Sequence, residues 1–395
     1  MIDRPSLLRL LLIDDDPAFC RLITRVAEAQ GFEVIVTDDP ESFKRLVHSW
    51  APTLIFMDLQ MPGKDGIELL RDLALNRCAA PIVLSSGLDL RTLDSAVRLG
   101  AERGLKMDSA LQKPVPLHDL NDLLARHKPA DGARLSRELG QAIADGQLFL
   151  EYQPKLDCRL GGITGVEALV RWRHPGLGVL SPDNFIPLAE ETDLIDPLTD
   201  WVFATAARDA AAWQRQGLVL DVAVNISAKN LRSLDLPDRL ARQCQDFGLN
   251  PASVTLELTE TSAMQDAVHM MDVLTRLRVK GFKLSIDDFG TGYSSLIQLR
   301  KMPFSELKID LSFVIHMLQD RDCKVIVEVI VDLARKLGLE SVAEGVESEQ
   351  IWQALLGLEC DRGQGYHLGR PMTVDSIPVA YAANAQSRAS RKPPD

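Results

Sequence analysis

Between residues 7 and 127 the chain alternates short unbroken apolar runs with stretches in which apolar residues recur every three or four positions. The first kind reads as strands buried on both faces, the second as amphipathic helices. Strands are expected at 7–13, 32–37, 53–57 and 81–85, with a fifth just before Lys113. Helices are expected at 18–30, 41–50, 67–75, 91–99 and 117–126, and Gly31 and Gly100 stand where the first and fourth of them stop. This β-α repetition predicts an open, doubly wound parallel sheet over 7–127, with its functional residues at the carboxyl ends of the strands. At 127–132 the pattern breaks into HKPADG, which makes 128–134 a linker; a helical pattern resumes at 134–144.

A second series follows over 135–383. Its strands are expected at 148–153, 165–172, 220–226, 254–260, 283–287, 307–310, 340–343 and near 363–367. Helical patterns lie between most of them, for example at 198–216 and 268–280. About eight strands in ~240 residues fit a (β/α)₈ barrel, in which the strand ends meet at one face. The polar tail 384–395 (NAQSRASRKPPD) is expected to be disordered.

Composition narrows the function classes. The 395 residues are 46% apolar and 25% charged, the proportions of an ordinary globular protein with room for two or three domains. With 44 basic and 56 acidic side chains the formal charge is −12, which argues against binding polymeric nucleic acid or an anionic membrane surface. The six cysteines (20, 78, 158, 244, 323, 360) include no C-x-x-C pair and read as buried thiols. The apolar run at 7–13 is far shorter than the ~20 residues that span a bilayer. It leads into three aspartates instead of a cleavage site, so a cytoplasmic protein without a signal peptide is expected.

In the first domain Asp14, Asp15 and Asp16 follow the first strand, Asp58 ends the third, Ser86 follows the fourth and Lys113 the fifth. Asp16 before Pro17 is explained as a helix cap. That leaves Asp14 and Asp15 beside Asp58, a cluster suited to Mg²⁺ and a phosphate. The segments LLIDDDP, LIFMDLQMPGKDG, PIVLSSG and QKP resemble those of the response-regulator receiver domain, which has a flavodoxin-like doubly wound fold. The resemblance implies Mg²⁺ on Asp14, Asp15 and Asp58, phosphorylation of Asp58 by a sensor histidine kinase, and Ser86 and Lys113 as the switch residues that meet the phosphate. One departure is Ala110, where receivers often carry a switch aromatic.

In the second series seven strands end in, or next to, a polar or charged residue: Glu167, Asn225, Glu257, Asp287-Asp288, Lys308, Glu344 and Gln364. Five carboxylates and an amide meeting at one barrel face would repel without divalent cations between them. A donor set of oxygens, with no His or Cys, points to Mg²⁺ or Mn²⁺. The adjacent Asp287 and Asp288 suggest two ions sharing a carboxylate, the usual arrangement for hydrolysing a phosphodiester. Lys308 can position the water, and Arg171 has the fork geometry for a phosphate. The glycines of DFGTGYSS (288–295) mark a loop able to close over substrate.

The motifs GVEALVRW, AVNIS, ELTE, DDFGTGYSSL, LKID, AEGVE and QGY resemble, in order and spacing, those of the EAL domain. The resemblance implies a modified (β/α)₈, TIM-like barrel with one antiparallel strand that hydrolyses cyclic di-GMP to linear pGpG. It implies Glu167, Asn225, Glu257, Asp287, Asp288 and Glu344 as ligands of two Mg²⁺ or Mn²⁺ ions. Lys308 would contact the catalytic water, Glu344 doubles as candidate general base, and Glu260 would brace the DFGTGYSS loop. Gln153, Glu167, Leu169, Arg171, Asp287, Lys308, Glu347 and Gln364 would lie against the substrate. No GGDEF-like stretch is present, so synthesis of cyclic di-GMP is not expected. The layout, receiver then EAL, implies a homodimer or tetramer whose activity responds to phosphorylation of Asp58 through that loop. A non-catalytic cyclic di-GMP receptor acting through a protein partner is the alternative. A DNA-binding regulator would need a helix-turn-helix and a basic patch, and neither is found.

Overall fold

The structure, a computed structural model, describes residues 8–390 apart from 62–65, 77, 88–89, 114, 117–119, 122, 125–126, 128–131, 261–266 and 292–295. The chain divides into two compact units at Gly132.

The first unit is a five-stranded parallel sheet in the order β2-β1-β3-β4-β5, formed by β1 (Arg9–Ile13), β2 (Glu33–Thr37), β3 (Leu54–Asp58), β4 (Ile82–Ser86) and β5 (Met107–Gln112). Alternation along β1 builds two cores. Leu10 and Leu12 pack with Phe19, Ile23 and Ala27 of the helix Pro17–Ala29. Leu11 and Ile13 face Phe43, Leu69 and Leu73 on the other side. Asp16 caps the first helix, accepting the Ala18 and Phe19 N–H groups, with Pro17 at its first position. The helix expected at 117–126 falls largely outside the described residues.

The second unit is a closed barrel. Its strands are β6 (Leu148–Asp157), β7 (Ile163–His174), β9 (Asp221–Asn225), β10 (Val254–Thr259), β11 (Lys283–Phe289), β12 (Glu306–Ile309), β13 (Glu340–Ala343) and β14 (Arg362–Gly363). The run from β7 through β9 to β14 is parallel. β6 closes the ring antiparallel to both β7 and β14, and the short β8 (Gly178–Leu180) extends β7 outside it. β6 was expected to stop at 153, before Pro154. It runs on to Asp157, because proline is tolerated in a strand where no ladder donor is needed.

The helix Gly132–Ala144 buries Leu135, Leu139 and Ala142 in the barrel's hydrophobic cluster, in keeping with a second domain that starts at 135. The tail expected to be disordered from 384 is helical to Ser390, while 391–395 lie outside the described residues. Asn384 anchors it, accepting the Ile163 N–H at 3.1 Å and donating to the Gly161 carbonyl at 3.1 Å. Among the described residues no helix is long and apolar enough to cross a membrane.

Candidate active site and phosphoacceptor site

Glu167, Leu169 and Arg171 alternate along β7 and so share one face of it. The parallel pairing of β7 with β9 stops at Ala168, and beyond it β7 continues as a ribbon with β6 and β8. Glu167 is thereby at the barrel rim. Asn225 ends β9 in register with Glu257 on β10. Lys308 is the penultimate residue of β12, and Glu344 and Gln364 directly follow β13 and β14. Gly365 fixes the last of these. A Cβ there would lie 2.2 Å from the Val346 nitrogen, and the crossing backbones are joined by Val346 N–H to the Gln364 carbonyl at 3.0 Å.

Adjacent residues of a strand ordinarily face opposite ways. Between Ile286 and Phe289 the register of β11 against β12 slips, and Asp288 takes a left-handed φ of 54°. This bulge brings both aspartates toward Glu344: carboxylate oxygens of Asp287, Asp288 and Glu344 lie within 4.8 Å of one another. Four of the five acids gather on Lys308. Its Nζ is 2.7 Å from Glu344, 2.9 Å from Asp287, 3.1 Å from Glu257 and 3.8 Å from Glu167. Glu167 also accepts hydrogen bonds from Asn225 and Gln364, each at 2.7 Å, and the Gln364 amide donates to Gln153 at 3.0 Å.

Two buried groups were missed in the sequence. Lys155 donates to Glu257 at 2.5 Å and lies 3.6 Å from Glu306, which stands on β12 two residues before Lys308. The signal was present: Lys155 follows Gln153 by two positions and therefore shares its face of β6. It was lost when the strand was ended at 153.

Five carboxylates (Glu167, Glu257, Asp287, Asp288, Glu344) thus face two ammonium groups, and the acids hold their charge unequally. Burial pushes Glu344 up to about 8 and Glu257 to about 7, against the pull of the lysines. Burial and the neighbouring Asp287 push Asp288 to about 6. Burial acts on Glu167 too, but Lys308, Lys155 and its two amide donors outweigh it and hold it at about 2. Burial also opposes the charge of Lys308, and the four surrounding acids still raise it well above its usual value. An oxygen-only donor set with three acids in excess fits divalent cations of the hard class.

A pH dependence follows. Glu257, Asp288 and Glu344 have folded-state values above their unfolded ones, so each contributes stability at low pH that is lost as pH rises through the folded value. In EDTA the melting temperature is expected to fall between about pH 5 and pH 8. Saturating Mn²⁺ is expected to flatten that slope. A melting temperature independent of pH in EDTA would contradict this account of the ring.

Two cavities open on the ring. One of about 240 Å³ is lined by Gln153, Glu167, Glu344, Glu347, Gln364 and Tyr366, among others. The other, about 510 Å³, has apolar walls including Leu169, Ile186 and Leu198, and reaches Asn225 and Glu257. The Arg171 guanidinium is held by Glu151 of β6 at 2.9 Å. Glu260, buried just after β10, accepts the Gly290 N–H at 2.9 Å, at the start of the loop whose residues 292–295 lie outside the described ones.

In the first unit Lys113 Nζ sits between Asp14 at 2.7 Å and Asp58 at 2.8 Å. Oxygens of Asp14, the exposed Asp15 and Asp58 lie within 4.8 Å of one another, an arrangement that fits Mg²⁺. Burial raises the Asp14 carboxyl. Burial works against Lys113, but its bonds to Asp14 and Asp58 prevail and raise it. Ser86 reaches Asp58 through Gln60: its hydroxyl donates to the Gln60 side chain at 3.4 Å, and the Gln60 N–H donates to Asp58 at 2.9 Å. Ala110 packs on the apolar cluster of one sheet face.

The family model of the EAL domain matches residues 136–371, and that of the response regulator receiver domain matches 10–125. The cyclic di-GMP phosphodiesterase RocR of Pseudomonas aeruginosa is 34% identical over 380 residues, 92% of this chain and 96% of RocR. The bifunctional diguanylate cyclase/cyclic di-GMP phosphodiesterase MucR of the same organism is 42% identical over 250 residues, 63% of this chain. The chain spans about a third of MucR, 36% of its length. The solved PaMucR phosphodiesterase in complex with c-di-GMP superposes with a TM-score of 0.60 at 43% identity, covering 62% of this chain and 99% of that one.

Proposed function

The chain belongs to the EAL-domain family and carries a response-regulator receiver domain ahead of that domain, and from this premise we propose that it hydrolyses cyclic di-GMP to linear pGpG. The observation that carries the reading is the ring of five carboxylates and Asn225 around Lys308 at the carboxyl ends of the barrel strands. Glu167, Asn225, Glu257, Asp287, Asp288 and Glu344 would hold two Mg²⁺ or Mn²⁺ ions. When bound, such ions supply an acidified water and stabilise charge on the attacking and leaving oxygens.

The protein's own groups do the rest. Lys308, buried and fully charged, orients the water among the acids that surround it. Glu344, directly after β13 and 2.7 Å from the Lys308 ammonium, takes the proton that water gives up as it attacks phosphorus. The P–O3′ bond breaks, and the 3′-oxygen leaves as the alcohol after taking up the proton that Glu344 received. Gln153, Glu347 and Gln364 line the smaller cavity and contact substrate there. Leu169 and the apolar walls of the larger cavity suit a purine face. Arg171 turns from Glu151 toward a substrate phosphate. Glu260 sets the start of the DFGTGYSS loop through the Gly290 N–H.

In the receiver, Asp58 accepts a phosphoryl group from a sensor kinase, with Mg²⁺ on Asp14, Asp15 and Asp58. Lys113 and Ser86 then bond the new phosphate. The added charge biases barrel activity, through the loop at 288–295 and a homodimeric or tetrameric assembly.

The test is hydrolysis by the purified full chain with Mg²⁺ or Mn²⁺, before and after treatment with a small-molecule phosphodonor. Linear pGpG is expected, at a rate that phosphodonor changes in wild type and leaves unchanged in Asp58→Asn. Nucleotide binding without product under both conditions would make the protein a receptor. An equal response of Asp58→Asn would remove Asp58 from the regulation.

A further inference from the structure

Lys155 lies one layer below the acidic ring and enters from β6, the antiparallel strand. No motif read in the sequence contains a role for it. Lys155 is 2% exposed, and the Glu257 it holds is fully buried. We propose that Lys155 is a positioning residue that sets the orientation of Glu257 for divalent-cation binding. This rests on reading the ring as a divalent-cation site.

The two oxygens of Glu257 are divided between two lysines. Lys155 takes Oε1 at 2.5 Å from below, and Lys308 takes Oε2 at 3.1 Å from within the ring. Turning the carboxylate would break a short ion pair where no water can replace it, a costly loss at a buried site. Oε2 is thereby the oxygen presented to Lys308. Lys155 is itself steadied from behind. Glu306 stands 3.6 Å from it and 4.0 Å from Arg362, which also pairs with Asp221 and Glu340, each at 3.2 Å. This ladder of alternating charges runs from the ring through the barrel to the amino ends of β9, β13 and β14, and restrains the ammonium from moving with Glu257. Groups that orient a metal ligand in this way typically contribute 10- to 100-fold in affinity or activity.

Two other roles for Lys155 predict different signs. As a bystander cation it would repel a divalent ion, so removing it would tighten cation binding. As a plain core ion pair it would affect melting temperature and leave cation affinity alone.

The experiment compares wild-type full-length chain with Lys155→Met. Both chains carry Asp14→Asn and Asp15→Asn, which remove the receiver's cation ligands. Mn²⁺ binding is followed by the electron paramagnetic resonance signal of the free ion, and folding by thermal denaturation. Lys155→Met is expected to weaken Mn²⁺ binding about 10- to 100-fold. An unchanged or tighter dissociation constant overturns the proposal. If Lys155→Met does not fold, Lys155→Arg keeps the charge and displaces the donor. It is expected to weaken Mn²⁺ about tenfold, and wild-type affinity overturns the proposal. Wild type that fails to bind Mn²⁺ would strike at the divalent-cation reading itself. Wild type and Lys155→Met binding equally well would strike only at the role of Lys155.

Discussion

Glu167→Ala is expected to lower cyclic di-GMP hydrolysis by on the order of a thousandfold or more, since loss of a ligand carboxylate removes several kcal/mol of transition-state stabilisation. Glu167 is the acid most firmly held in its charged form, and it joins three parts of the ring: Asn225 of β9, Gln364 after β14 and Lys308 of β12. Truncation takes one of two acceptors from the buried Gln364 amide, at about 1–3 kcal/mol, whereas Asn225 is exposed and can turn to water. Truncation also relieves repulsion among the acids that remain. These effects oppose one another, so stability in EDTA is expected to change far less than activity. Quantifying pGpG by chromatography beside a melting curve separates the two. Activity within tenfold of wild type, in a folded variant, would show that the ring is not where the chemistry occurs.

Lys308→Met is expected to behave in the opposite way in EDTA. The ammonium faces four carboxylates and is 1% exposed. Removing one partner of such a buried network leaves uncompensated charge and costs about 3–5 kcal/mol. Divalent cations offset the same charge, so Mn²⁺ is expected to raise the melting temperature of Lys308→Met by more than that of wild type. Binding at a thousandfold excess over the dissociation constant contributes about 4 kcal/mol, enough to recover most of the loss. Turnover should remain low even then, because the other buried amine among the described residues, Lys155, is held by Glu257 and Glu306. A melting temperature in EDTA equal to that of wild type would show that Lys308 does not balance the ring.

Much of this site could be read from the chain. Glu167, Asn225, Glu257, Asp287, Lys308 and Glu344 each stand at or beside a strand end, and a barrel must bring such positions together. Asp14, Asp58 and Lys113 were legible for the same reason, as strand-end residues of a parallel sheet. What stayed hidden depends on departures from regular geometry. Period-two alternation cannot aim Asp287 and Asp288 at one point; the slip in β11 and the left-handed φ of Asp288 do that, and neither has a signature in Asp-Asp. Lys155 was lost because Pro154 reads as a strand terminator. The ion pair between Arg171 and Glu151 was beyond reach because it depends on the cross-strand register of β6 and β7.

The junction of β6 with β14 bears on how the protein is made. It consists of two residue pairs, Asp157 with Arg362 and Leu156 with Gly363, and the latter are 207 positions apart in the chain. Contacts so distant are the last that loop-closure entropy allows to form. A ribosome will therefore have delivered nearly every barrel strand before the ring can shut. Until Gly363 has emerged, the nascent sheet carries two open borders, β6 on one side and β13 on the other, each a template for a stray strand. The growing chain has to reach closure before another chain pairs with either border.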